Sequence, residues 1–429
     1  MRRALTAGQV FFPLDEELAL LPGALTPSLH ETVVRLGTRM PFESVVQELA
    51  CLKQVTTTEA TVRRHTETAG ATYVALQTAE VDRLEHTPAA VPPGATRQLL
   101  SVDGAMVPLV HREWAEVKTV AIGEIQPPVI EHGEAVVHTT HLSYFSRVAE
   151  ADTFTRLATV ETQRRGTECA ETVCAVNDGA EWIQGFIDVQ RPDAVRILDF
   201  SHAAGYVAQV GQAVWGEGTA EAKAWLTATL HTLKHDSPDA MLATLRAMQH
   251  ELEGGAASPE TLDTVRTAVQ YLDKRRAHME YAQFQAVGYP IGSGSVESGH
   301  KVVVEARLKG AGMHWAREHV NPMVALRNAL CSARWAEDWS QIALCLRADH
   351  LHERQARQRA RWAQRWARAM APAEPPCPEP VPATPAKPAP SAPAKSRQPY
   401  RPPAHHPWRH SPIGRARFQP YRSSHDPKS

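Results

Sequence analysis

The chain has 429 residues and a mass of 47.2 kDa, long enough for two or three domains around sizeable buried cores. Its 46 basic residues balance 47 acidic ones to a formal net charge of −1, which excludes a uniformly basic nucleic-acid coat and leaves locally concentrated charge as the route to polyanions. Six irregularly spaced cysteines contain no C-x-x-C pair, so a zinc ribbon, a thioredoxin motif and a disulfide framework are poorly supported and a reducing compartment is expected. No signal-peptide core opens the sequence, and no stretch approaches the roughly 18 apolar residues of a spanning helix. A soluble, cytoplasmic protein without a membrane partner is expected.

Residues 1–87 read as an N-terminal helical region. Phe42, Val45, Val46 and Leu49 recur at helical spacing, a break covers Lys53 to Thr56, and Thr58 to Thr68 forms a second helix with Val62 as anchor and Gly70 as stop. This is the shape of a helix-turn-helix. Its second helix presents Thr57, Arg63, Arg64 and His65, residue types suited to phosphates and base edges in a major groove. A proline-containing linker, 88–96, follows.

The pattern then changes to strands. RQLLSV (97–102), EVKTVAIGEI (116–125) and AVVHTTHLSYF (135–145) predict three, followed by a helix over 151–166, a buried strand at 171–177, a helical turn through EWIQGFIDV and a last buried strand at 194–198. The order β-β-β-α-β-α-β predicts an α/β mixed sheet, assigned to 97–202. Residues 203–288 are helical throughout, with Ser237-Pro238 and Ser258-Pro259 opening two of the helices. That segment is expected to be an all-α insertion, with 289–337 completing the sheet domain.

Residues 338–370 predict a basic helix, the stretch LHERQARQRARWAQRWARAM (351–370) carrying six arginines, Trp362 and Trp366 at helical density. Residues 371–429 hold 17 of the 32 prolines and nine Lys/Arg against three acidic residues, the composition of a disordered basic tail.

Three carboxylates stand where a sheet of this order brings strand ends and a facing helix together. Asp103 follows the first strand in SVDGAMV, Asp178 the fourth in NDGAEWI, and Glu297 opens the helix in GSGSVESGHK. Clustered carboxylates repel one another unless cations share them, and two Mg²⁺ ions, with Mn²⁺ as a substitute, suit such oxygen ligands. Two metals so held clamp the entering and departing oxygens of an in-line phosphoryl displacement. Asp199 and His202 end the last strand in DFSH. There Asp199 is either a cap for the next helix or a metal ligand in place of Asp178, and His202 either donates to a phosphate or orients an acidic ligand. Beyond Glu297, Lys301 at i+4 is expected on the same face and able to meet a DNA phosphate. Arg307 and Lys309 extend the basic run, and Trp315 is placed to stack on an unpaired base.

With these residues on the page, the chain resembles the DDE transposases of bacterial insertion sequences, most closely the ISKra4 family, itself similar to the IS256 and Mutator-like group. The resemblance covers about residues 8 to 337. Its carriers are FFPLDEELAL, TVRRHTETAG, SVDGAMV, NDGAEWI, ILDFSHA and YPIGSGSVESGHKVVVEARLKGAGMHW, with HPWRH similar to a terminal motif. It implies an RNase H-like catalytic domain interrupted by an α-helical insertion before its glutamate helix. It also implies Asp103, Asp178 and Glu297 as the metal-binding trio, with Asp199 and His202 as the accessory motif. Longer members begin with Cys-x-x-Cys pairs absent before Phe11, so Met1 is expected to be a late start.

The function expected is an enzyme that binds terminal inverted repeats, cuts at the ends of a mobile element and joins the 3′ hydroxyl to target DNA. A homodimer or larger assembly on double-stranded DNA, associated with the nucleoid, follows from the need to hold two ends. The alternatives are a non-catalytic DNA-binding relic or repressor, and a metal-dependent nuclease of the same fold.

Overall fold

The structure, a computed structural model, describes residues 25–370 except Pro88, His132 and Ala256. The FFPLDEELAL segment, the expected late start, the proline-rich tail and its HPWRH motif lie outside the described residues. No helix among the described residues is long and apolar enough to cross a membrane.

Threonine hydroxyls start two of the N-terminal helices. In α1 (Pro27–Arg39) Thr26 accepts the Leu29 N–H, and in α3 (Glu59–His86) Thr58 accepts the Thr61 N–H, each meeting one of the donors a helix start leaves unpaired. Between them α2 (Phe42–Lys53) buries Val45 and Leu49 and ends at Gln54 in the left-handed region, φ 54°. The expected stop at Gly70 does not occur, and α3 runs 28 residues. Gly70 serves close approach instead. A Cβ there would lie 2.3 Å from the Pro322 carbonyl oxygen of α12 (Arg317–Cys331), and the packing offsets the roughly 1 kcal/mol that glycine costs inside a helix.

The sheet has five strands in the order β5-β2-β1-β6-β7, from β1 (Arg97–Pro108), β2 (Trp114–Ile125), β5 (Thr139–Arg147), β6 (Thr172–Asn177) and β7 (Val195–Leu198). β2 runs antiparallel to β1 and β5, while β6 runs parallel to β1 and β7. The strand expected at 135–145 is divided. β3 (Val129–Glu131) pairs with β4 (Glu134–Val136) as a separate hairpin turning at Gly133, φ 87°, and only residues from Thr139 onward join the sheet. β1 in turn extends six residues past the expected end at Val102, to Pro108, because β2 pairs with it along its whole length.

Both sheet faces are covered, so the middle of each central strand is buried on both sides, with Gln98, Ser101 and Thr119 as polar exceptions among apolar residues. On one face Leu100, Val102, Val120, Ile122 and Phe145 pack on α4 (Ala151–Arg164) and α5 (Glu181–Gln190) through Phe154, Ile183, Phe186 and Ile187. On the other, Leu99, Cys174, Val176 and Ile197 meet α6 (Phe200–Trp215) and the helices that follow it. These are α7 (Ala220–His235), α8 (Pro238–Gly254), α9 (Pro259–Lys274) and α10 (Tyr281–Ala286). Ser237 and Ser258 cap α8 and α9 as their Ser-Pro pairs predict.

α11 (Gly294–Gly299) continues through a π turn, His300–Glu305, into Ala306–Leu308. Arg327 of α12 donates to the carbonyls of Val302 and Val303 within that turn, supplying partners where the α-helical ladder is interrupted. The long α13 (Trp335–Met370) closes the described chain. Its residues up to Trp362 belong to the same compact unit as the sheet, and Ala363–Ser429 forms a second unit, of which Ala363–Met370 is described. The fold is therefore α/β with a mixed five-stranded sheet, compatible with an RNase H-like core.

Candidate active site

The site forms where β1 and β6 part. Their parallel ladder pairs Arg97–Leu100 with Thr172–Ala175, then the Asn177 side chain takes the Val102 N–H and the strands separate. Continuing that register brings Asp103, midway along β1, level with Asp178, which directly follows the carboxyl end of β6. Such a crevice is where open α/β sheets place ligands.

Each carboxylate is held differently. Asp103, on the sheet face that also carries Leu99 and Ala105, accepts the Gly104 N–H at 2.7 Å. Burial raises its carboxyl to about 6, and the negative charges of Asp178, Glu297 and Glu116 push in the same direction. Asp178 begins the β6–α5 turn, where its Oδ1 accepts the Ala180 N–H at 2.9 Å. Glu297 is exposed in the first turn of α11, and its Oε1 accepts from Ser293 Oγ at 3.1 Å.

Asp199 takes the capping role, one of the two expected of it. It is 5 % exposed, and its two oxygens accept the His202 N–H and the Ser293 N–H, both at 2.9 Å. It is the N-cap of α6 and a brace for the segment leading to Glu297, so both oxygens are committed, while Asp178 commits Oδ1. Phe200 N bonds to Ile291 O at 2.9 Å and tightens the same junction. His202 is half-buried against Tyr206 and Tyr271.

Several expected DNA contacts are corrected. His65 is buried in α3, its ring 4.6 Å from that of His30, because the helix turns Arg63 and Arg64 outward and His65 inward. Arg307 is 2 % exposed, donates to Gly37 O at 3.0 Å and lies over the rings of Phe42 and Trp315. Trp315 is itself core, edge-on to Phe42, with its backbone bonded to Pro108 and Val110 beside β1. Neither Arg307 nor Trp315 presents a surface to DNA.

Lys301 is exposed, but the π turn that begins at His300 breaks the i+4 alignment with Glu297 on which its placement rested. Lys309 is exposed and paired with Glu305 at 2.9 Å. Thr57 is half-buried and precedes α3. Arg63 and Arg64 line an open cleft of about 670 Å³ with Glu67, Thr68, Glu318 and His319, apart from the carboxylates.

Residue-type reasoning missed His300 and Ser293. His300 is 7 % exposed with Nδ1 3.5 Å from Asp103 Oδ2, and burial lowers its pKa. Its spacing of three from Glu297 was the available signal, since i and i+3 share a helix face. Ser293 carried none.

The donor chemistry of Asp103, Asp178 and Glu297 suits a hard divalent cation. Their oxygens are not drawn onto one point, however: among the described residues no group of three or more His, Cys, Asp or Glu side chains forms a ready metal site. The acidic groups stand close enough for Asp103 to feel both others and remain open towards the crevice. The sequence matches no protein-family model, and no curated protein matches it.

Proposed function

We propose that this chain is a DDE-type DNA transposase of the ISKra4 kind, with the five-stranded sheet as its RNase H-like catalytic domain and α6–α10 as the insertion before the glutamate helix. The observation that carries the reading is that Asp178 and Glu297, from the β6–α5 turn and α11, stand within electrostatic reach of Asp103, where β1 parts from β6. Carboxylates crowded in this way are unfavourable to one another, and a cation-binding role accounts for their placement together.

Asp103, Asp178 and Glu297 would hold the ions. Two Mg²⁺ ions, or Mn²⁺ in their place, supply charge stabilisation for the entering and leaving oxygens of phosphoryl transfer. The chain's own residues do the rest. Ser293 holds the Glu297 carboxylate, the Asp199 cap fixes the strand end below it, and His300 faces Asp103 from the covered side. Arg63 and Arg64, both exposed in the first turns of α3, suit contact with phosphates of the terminal repeats, as do Thr57 just before that helix and the exposed Lys301. Water cleaves the phosphodiester at an element end to give a 3′ hydroxyl, which then displaces a 3′ oxygen in target DNA. Joining two ends calls for at least two copies on the DNA.

Divalent-ion-dependent cleavage and joining of a duplex bearing the element's terminal repeat tests the reading. Asp103→Asn, Asp178→Asn and Glu297→Gln should each lower the rate by about 10³-fold or more, since each removes a ligand from one shared centre. Cleavage that persists undiminished in all three variants contradicts it.

A second reading, DNA binding without catalysis, is favoured by one observation: the carboxylates do not form a ready metal site in the protein alone. Tight binding of the terminal repeat by the unaltered protein without Mg²⁺- or Mn²⁺-dependent cutting would support that reading. Cutting without joining would indicate a nuclease.

A further inference from the structure

The helices between β7 and α11 grip the strand ends that carry the site. Two side chains of α9 and its C-cap, one helical turn apart, donate to adjacent carbonyls of the Asp178–Gly179 turn. The Tyr271 hydroxyl bonds to the Asp178 carbonyl, and Arg275 reaches the Gly179 carbonyl with Nη2 at 2.7 Å and Nε at 3.1 Å. Arg275 also bonds back to the Tyr271 carbonyl at 3.2 Å, with its guanidinium 3.7 Å from the centre of the Tyr271 ring. That ring stacks on Tyr206 of α6 at 4.0 Å and 12°, so the donor hydroxyl is aimed by two helices.

The fit is close on the turn's side as well. Gly179 has φ +78°, and a Cβ there would come within 2.5 Å of Arg275 Nε. One strand further on, Tyr281 of α10 donates to the Leu198 carbonyl at 2.9 Å, directly before the Asp199 cap. The helical layer thus fixes the ends of both β6 and β7.

Exposed turn carbonyls are ordinarily satisfied by water. Here two protein donors, one of them charged, fix the orientation of consecutive peptide units. The Asp178 side chain leaves the backbone directly before the first of those units, and its Oδ1 is already used on the Ala180 N–H just beyond them. Rotation of the turn would swing the carboxylate away from Asp103. The partners that orient metal ligands change metal affinity by about 10- to 100-fold.

We propose that Tyr271 and Arg275 are positioning residues for Asp178: they lock the Asp178–Gly179 turn so that the second carboxylate stands ready for a divalent ion, which makes the helical layer part of the site's geometry. The proposal rests on the metal-binding reading given above.

The test is Mn²⁺ binding to the purified full chain without DNA, read from the electron paramagnetic resonance signal of free Mn²⁺, with thermal unfolding measured in parallel. Asp178→Asn serves as the reference for a lost ligand. Tyr271→Phe and Arg275→Gln should each weaken Mn²⁺ by about tenfold or more, with Arg275→Lys falling between Arg275→Gln and the unaltered protein. Faster hydrogen exchange at the Ala180 amide should accompany the weakening, with little change in unfolding temperature. Tyr271→Phe removes a single oxygen and keeps the test in force if an Arg275 variant fails to fold.

Affinity equal to that of the unaltered protein in Tyr271→Phe and in every folded Arg275 variant overturns the proposal. So does weakening that tracks a loss of stability of the whole fold with no change at Ala180, the mark of a structural role alone. Failure of the unaltered protein to bind Mn²⁺ removes the metal-binding reading and the proposal with it, and its own titration tells that outcome from the others.

Discussion

Asp178 and Asp199 illustrate how two similar carboxylates at neighbouring strand ends come to differ. Asp199 accepts two backbone N–H groups and is nearly inaccessible, whereas Asp178 accepts one and borders the crevice. Asparagine, with one carbonyl oxygen, can accept the single Asp178 bond but only one of the two Asp199 bonds. Asp199→Asn should leave terminal-repeat cleavage within about tenfold of the unaltered rate while costing about 1–2 kcal/mol of stability, and Asp178→Asn should abolish cleavage at little cost in stability. Equal losses of cleavage in the two variants would show that the cap assignment is incomplete. The buried His30–His65 pair behaves differently again. Burial lowers His30 to about 4 from its ordinary 6.5, with His65 adding to the effect, and neither His30 ring nitrogen has a partner among the described residues. The unfolded chain takes up a proton below 6.5, which the folded chain resists until about 4. Stability from this source is complete above pH 6.5 and falls as pH drops towards 4, by roughly 3 kcal/mol at full extent. His30→Phe should flatten the pH dependence of the urea midpoint between about pH 7.5 and 5. An unchanged slope would contradict the assignment.

At the scale of elements, α3 is where propensity and packing compete. Gly70 reads as a helix stop, yet the helix continues because α12 lies against it at backbone distance. Alanine is the better helix former by about 1 kcal/mol, but its Cβ would strike the Pro322 carbonyl oxygen. Overpacking should win, and Gly70→Ala should destabilise by about 1–2 kcal/mol net in chemical denaturation. A stabilised variant would show that the seam yields easily. The strand and helix order was legible because β6 and β7 are short apolar runs bounded by turn residues and the helices of 203–288 carry cap residues and period-3.6 stripes. The β3–β4 hairpin was not legible, since His138 and Thr139 continue the same alternation across a change of sheet. Neither was the π turn. Its interruption is answered by Arg327 some two dozen residues further on, a tertiary effect with no local signature.

Over the whole molecule, the N-terminal helices and the sheet are stitched together by polar bonds as well as apolar contacts. Buried Arg147 donates to Gln77 of α3, and the Asn321 amide of α12 exchanges bonds with the Val148 backbone at 2.7 and 3.1 Å. Arg334 meets Glu161 of α4 at 2.7 Å with Asp338 beside it, and Arg307 and Arg327 reach the Gly37 and Thr38 carbonyls. This long-range stitching explains which placements could be read in advance. That Asp103, Asp178 and Glu297 stand near one another followed from their positions along their elements, and the charges of Asp178 and Glu297 do reach Asp103. His65, Arg307 and Trp315 carry side chains suited to DNA, but their burial is decided by partners distant in sequence, such as His30, Gly37 and Phe42. Tyr271 sits in an apolar stripe and reads as core until its hydroxyl is seen on the Asp178 carbonyl.

The most direct test of the account is a crystal structure with Mn²⁺ and a terminal-repeat duplex, phased for the anomalous signal of the metal. The account predicts Mn²⁺ within roughly 2.0–2.6 Å of carboxylate oxygens of Asp103, Asp178 and Glu297 together. Mn²⁺ bound elsewhere, or no Mn²⁺ among these three side chains with the DNA in place, would contradict it.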